Sequence, residues 1–79
     1  MPRARSSLTD TAITLASILS PASYLSLEDA RRELGNRNGG VEYAAEQLLG
    51  HGITVYWHDN GLIVDRDSWA ACQRIGAMA

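Results

Sequence analysis

The chain has no lysine, a single cysteine and no apolar run long enough to span a bilayer. Each absence closes off a class of function. One cysteine, Cys72, allows no intramolecular disulfide, and His51 and His58 are too few to complete a zinc site with it. A reducing, cytoplasmic setting is expected on that ground, with Cys72 a small core residue in an amphipathic helix. A membrane helix needs ~20 consecutive apolar residues, so no membrane partner is expected. Met1-Pro2-Arg3-Ala4-Arg5 ahead of the apolar stretch from Ala12 to Leu19 has the outline of a signal peptide, but Asp10, Thr14 and Ser17 break the pattern. The glycines from Gly35 to Gly40 lack the Lys-Ser/Thr of a phosphate-binding loop. His58, Asp59 and Ser68 are close in sequence, but a strand turns successive side chains to opposite faces and does not by itself assemble a triad. No catalytic residue, metal or cofactor is expected.

What remains is a chain of 79 residues, 46% of them apolar, enough for one small core. A domain of this size buries only about 60% of the surface its unfolded chain exposes. The expected organisation is a flexible tail over residues 1–7 and one domain over residues 8–79. All seven basic residues are arginines, a bias that a GC-rich genome also produces, and they face nine acidic residues for a formal charge of −2. With Arg3 and Arg5 in the tail, five arginines stand against nine carboxylates in the domain, a formal charge of −4. A general polyanion binder is normally basic.

Gly and Pro punctuate four helical segments. Leu8, Ala12, Leu15, Ala16 and Leu19 recur at helical spacing, with Ile13 and Ile18 widening the stripe, and Pro21 stops the first helix. Tyr24-Leu25 forms a short extended piece. Ser26, three residues ahead of Asp29, opens a second helix with Leu27, Ala30 and Leu34 inward and Gly35 as a left-handed cap. Asn36-Arg37-Asn38-Gly39-Gly40 reads as an irregular loop. Val41, Ala44, Ala45 and Leu48 then make the core face of a third helix that leaves Glu42, Glu46 and Gln47 toward solvent. Asp67 or Ser68 caps a last helix whose Trp69, Cys72 and Ile75 return to the core, with Gly76 ending it.

Ile53, Val55 and Trp57 alternate with Thr54, Tyr56 and His58, the period of a strand. Asn60-Gly61 then predicts a two-residue type I′ turn, which sets Trp57 opposite Val64 and Val55 opposite Arg66. Trp57, Val55, Val64 and Leu62 share the face expected to pack on the helices. Tyr56, His58, Ile63 and Asp65 share the other. The fold expected is α+β, three to four short helices with a C-terminal two-stranded hairpin.

The order of these elements resembles a winged helix, a helix-turn-helix with a β-hairpin wing. Leu25-Ser26-Leu27-Glu28-Asp29-Ala30-Arg31-Arg32-Glu33-Leu34-Gly35 is similar to the opening helix of excisionase and MerR-like DNA-binding domains. The likeness continues through Gly52-Ile53-Thr54-Val55-Tyr56 and Leu62-Ile63-Val64-Asp65-Arg66-Asp67-Ser68-Trp69, and covers about residues 24–75. It implies a DNA-binding regulator of a phage or mobile element, able to act as a homodimer, with helix three in the major groove and the wing against the backbone or minor groove. Arg31, Arg32 and Arg37, with Asn38 and the amides near Gly39 and Gly40, are the phosphate-binding candidates, and Gln47 is a further DNA contact.

Charge favours a second expectation. From Val41 to Asp67 five carboxylates, those of Glu42, Glu46, Asp59, Asp65 and Asp67, face Arg66 alone, a formal charge of −4 where a DNA reader carries Arg or Lys. The alternative is an acidic protein-interaction module, such as a phage-encoded inhibitor of a host protein or of a CRISPR defence complex. In it Glu42, Glu46, Asp59 and Asp65 guide a partner electrostatically, and Tyr56 and Ile63, with His58 beside them, anchor it.

Overall fold

The computed structural model describes residues 8–19, 22 and 24–79; the expected tail and Pro21 lie outside the described residues. Four helices and a three-stranded antiparallel sheet make an α+β domain, an arrangement compatible with a small winged-helix-like fold.

Helix α1 spans Asp10–Leu19 and opens under the hydroxyl of Thr9, which accepts the amide of Ala12 at 3.2 Å. Its inward stripe, Ala12, Leu15, Ala16 and Leu19, is completely buried. Strand β1 (Tyr24–Ser26) runs directly into helix α2 (Leu27–Leu34), where Ser26 Oγ accepts the Asp29 amide at 3.1 Å. Asp29 does not return the bond. Its carboxylate pairs with Arg32 at 2.8 Å, one turn further on. Gly35 ends α2 with a positive φ of 63°, but ψ of −145° makes it an extended turn, not the left-handed helical cap expected.

The segment 36–40 is more ordered than its composition suggested. Arg37–Gly39 form one turn of 3-10 helix, with Asn38 held at φ 52° while its side-chain amide donates to Thr11 Oγ1 at 2.9 Å. Helix α3 (Gly40–Gly50) follows and buries Val41, Ala44, Ala45 and Leu48 as its spacing requires. Gln47 joins them instead of facing solvent. Its Oε1 accepts both the amide and the hydroxyl of Thr9, at 3.0 and 2.9 Å.

Strands β2 (Val55–His58) and β3 (Gly61–Val64) are antiparallel neighbours, but the sheet order is β1-β3-β2, so β3 is central and β2 is an edge. The expected pair is thus a three-stranded sheet, and a helix follows it. The connection is Asp59-Asn60, not Asn60-Gly61, and of the two only Asp59 has positive φ, 52°. Val55 lies opposite Val64 and Trp57 opposite Leu62, a shift of two residues from the expected pairing. A shift of two keeps every side chain on its face. In this register Gly61 lies within the strand beside β1, where a Cβ would meet the Cε1, Cζ and hydroxyl of Tyr24, the half-exposed far end of that side chain.

A second 3-10 turn, Arg66–Ser68, is capped by Asp65, whose carboxylate accepts the Asp67 amide at 3.1 Å; neither Asp67 nor Ser68 caps the helix beyond it. Ser68 is buried and instead holds the start of β2, accepting the Thr54 amide at 2.9 Å and donating to the Gly52 carbonyl at 3.4 Å. Helix α4 (Trp69–Gly76) packs across α1, where the buried Cys72 thiol donates to the Ala16 carbonyl at 3.6 Å. Leu15, Leu19, Leu34, Leu48, Ile53 and Leu62 form the centre of the core.

Candidate docking surface

The inner face of the sheet contains the largest departure from expectation. Trp57 and Leu62 are cross-strand partners, yet Leu62 is fully buried while Trp57 is 48% exposed. Position explains it. Leu62 sits on the central strand over the core, whereas Trp57 sits on the edge strand, beside the flank of α3. Trp57 and Val55 line one wall of a cleft of about 270 Å³ whose other wall is Glu42, Ala45, Glu46 and Leu49. Those four residues fall on one helical face by their spacing, and Leu49 is itself 59% exposed. The spacing of Glu42, Glu46 and Leu49 was the sequence signal for this wall. Missing was the knowledge that β2 is an edge.

The acidic candidates do not form one surface. Glu42 and Glu46 line the cleft, Asp59 stands at the exposed connection beside His58, 3.4 Å from its Nε2, and Asp65 is engaged as a cap. The expected anchors lie on the opposite side of the sheet. Tyr56 pairs with Ile63, and Ile63 pairs with Tyr24, giving an aromatic-aliphatic-aromatic row across all three strands. Tyr24 is the member the sequence did not supply. Guides at Glu42 and Glu46 and anchors at Tyr56 and Ile63 therefore cannot serve the same contact.

The basic candidates are largely engaged. Arg31 pairs with Glu42 at 3.0 Å and Arg32 with Asp29 at 2.8 Å. Asn38 and Gln47 are tied to Thr11 and Thr9. Arg37 remains exposed at the 3-10 turn, with no carboxylate against it among the described residues. The Gly40 amide donates to the Arg37 carbonyl, and the anion in the first turn of α3 is the chain's own Glu42. A backbone hydrogen bond at Glu42 itself, and then the Arg31 guanidinium, hold the Glu42 carboxyl below its ordinary range. A carboxylate thus occupies the positive end of α3, where a phosphate was expected.

A depression of about 410 Å³ beside the start of α2 is lined by Ser26, Leu27, Glu28, Arg31 and Asn60, a mixed set with no convergent chemistry. No group of His, Cys, Asp and Glu able to hold a metal occurs among the described residues. No described helix is long and apolar enough to cross a membrane. No family model matches the chain, and no curated protein or solved structure matches it either.

Proposed function

We propose that this chain is a non-catalytic binding module that docks a protein, not a nucleic acid, along the cleft between α3 and β2. The observation that carries the reading is Trp57, an aromatic ring left half exposed beside the open Leu49 and rimmed by Glu42 and Glu46. Large aromatic side chains seated in partly enclosed pockets are the usual energetic centres of protein interfaces, and rim charges choose the partner. The matching surface presents apolar side chains with lysine or arginine around them.

Several features weigh against the DNA-binding regulator that the likeness to excisionase and MerR-like domains implies. Arg31 and Arg32 are each held by a carboxylate, and Gln47 and Asn38 are turned to internal partners. Helix α3 would bring Glu42 and Glu46 to the phosphates.

The test has two arms. Affinity capture from the native host after nuclease treatment identifies a partner, which is then purified and titrated against the wild-type chain and the Trp57→Ala and Glu42→Gln/Glu46→Gln variants. Loss of affinity by tenfold or more in both variants supports the reading, being about 1.4 kcal/mol per decade. Binding of a short DNA duplex at low salt that weakens when Arg31, Arg32 and Arg37 become alanine overturns it.

A further inference from the structure

The edge strand carries more than a side chain. Asp65 donates its amide to the Thr54 carbonyl at 2.9 Å, and the pairs that follow are Val55 with Val64, Tyr56 with Ile63 and Trp57 with Leu62. Residues of an antiparallel pair alternate between bonded and non-bonded positions. Thr54 and Tyr56 therefore bond toward β3, while Val55 and Trp57 turn their amides and carbonyls away from it. The other side of β3 agrees, since the Leu27 amide donates to the Asn60 carbonyl at 2.6 Å, which places Leu62 in a bonded pair with Leu25. The main-chain groups of Val55 and Trp57 have no hydrogen-bond partner among the described residues. They open beside the cleft that their own side chains line.

Natural edge strands are protected by short length, a covering element, charge, proline or a bulge. Here β2 is short, four residues beside α3, but has no lysine, proline or bulge. Its protection is acidic: Glu42 and Glu46 across the cleft and Asp59 just past the strand. Glu46 has no cation against it among the described residues.

We infer that the partner docks by strand addition: an extended segment with basic residues at alternate positions pairs antiparallel with β2. This rests on the protein-docking reading above and specifies its geometry. In such a pair the residues opposite Val55 and Trp57 both exchange backbone bonds with them and project on the same face, into the cleft. Side-chain position and backbone bonding are thus locked together. The axial rise from Glu42 to Glu46 is about 6 Å, close to the ~6.8 Å between alternate side chains of a strand. One cleft-facing cation of the strand meets the open carboxylate of Glu46, and the cation two residues along meets Glu42, where it competes with Arg31. Charge selects the occupant over a second copy of this chain, whose β2 would bring another acidic flank to the same edge.

The probe is a fluorescein-labelled octapeptide alternating arginine and valine, followed by anisotropy against the whole chain. Saturable binding is expected, weakened about tenfold by N-methylation of the arginine amides and within about threefold of the parent when the valine amides are methylated instead. A peptide of the same composition with its arginines in one block is expected to bind at least tenfold more weakly. Amide exchange at Val55 and Trp57 is expected to slow only when peptide is present. Equal effects of the two methylation patterns, with binding still lost in Glu46→Gln and Trp57→Ala, overturn strand addition and leave the docking surface standing. Absence of saturable binding overturns strand addition by a basic segment. So does protection of Val55 and Trp57 that grows with protein concentration alone, because a second copy then holds the edge.

Discussion

The phenol end of Tyr24 occupies the space that a side chain at Gly61 would fill. This contact joins the first strand to the centre of the sheet. Gly61→Ala pushes the half-exposed ring end aside, at an expected cost of about 1 kcal/mol or less in urea unfolding. In a Tyr24→Ala background the same change is expected to cost less than half as much. The difference between the two is a coupling energy that a double-mutant cycle measures directly.

Trp57 and Leu62 face each other across the sheet with opposite burdens. Leu62→Ala opens a cavity in the core and is expected to cost about 2–5 kcal/mol. Trp57→Ala removes a half-exposed ring on an edge and is expected to cost under about 1.5 kcal/mol. Paired chemical denaturation curves check the ranking. A Trp57 loss equal to that of Leu62 would return the ring to a purely structural role.

Gln47 tests the assignment of a residue the sequence offered to DNA. Its replacement by alanine strips the Thr9 amide and hydroxyl of their acceptor at the start of α1. The expected cost is about 1–3 kcal/mol in unfolding free energy. Circular dichroism at rising urea concentration is sufficient to read it.

Glu42 supplies the pH dependence. Its carboxyl is held below the ordinary range by the backbone hydrogen bond and by Arg31, so its folded pKa lies under its unfolded one. A depressed carboxylate contributes stability above the unfolded pKa and loses it as pH falls through the folded pKa. Both partners are exposed, so the contribution is small. Arg31→Ala is expected to move the Glu42 titration midpoint upward, followed by the side-chain carboxyl carbon shift in NMR. An unchanged midpoint would assign the whole depression to the backbone hydrogen bond.

The helices were legible because each announces itself locally: Ser26 ahead of Asp29, the inward stripe from Ala12 to Leu19, and the alanines of α3. The faces of β2 and β3 were legible too, since alternation survives any even shift of pairing. The pairing itself was not. Asn60-Gly61 is a strong local turn signal, but Gly61 pairs within the sheet with Ser26 and His58, and Ser26 lies 35 positions earlier in the chain. The cleft was missed for a related reason. Val55 and Trp57 read as core by pattern, and only the strand order reveals that they lie on an edge, with Val55 half-buried against the core and Trp57 open beside α3. Gln47 looked exposed on its own helix until α1 brought Thr9 to bury it, and Asn38, still exposed, gains a partner in Thr11.

Helix α1 makes its most extensive packing with α4, and the Cys72 thiol reaches the Ala16 carbonyl across a separation of 56 residues. During synthesis, α1 therefore emerges well before the helix that completes its packing. Long separations between contacting residues slow folding, because the chain must close a large loop before burial rewards it. A nascent chain halted before Trp69 would hold the apolar stripe of α1 without α4 to cover it, so the tertiary fold of this domain can form only once α4 has been made.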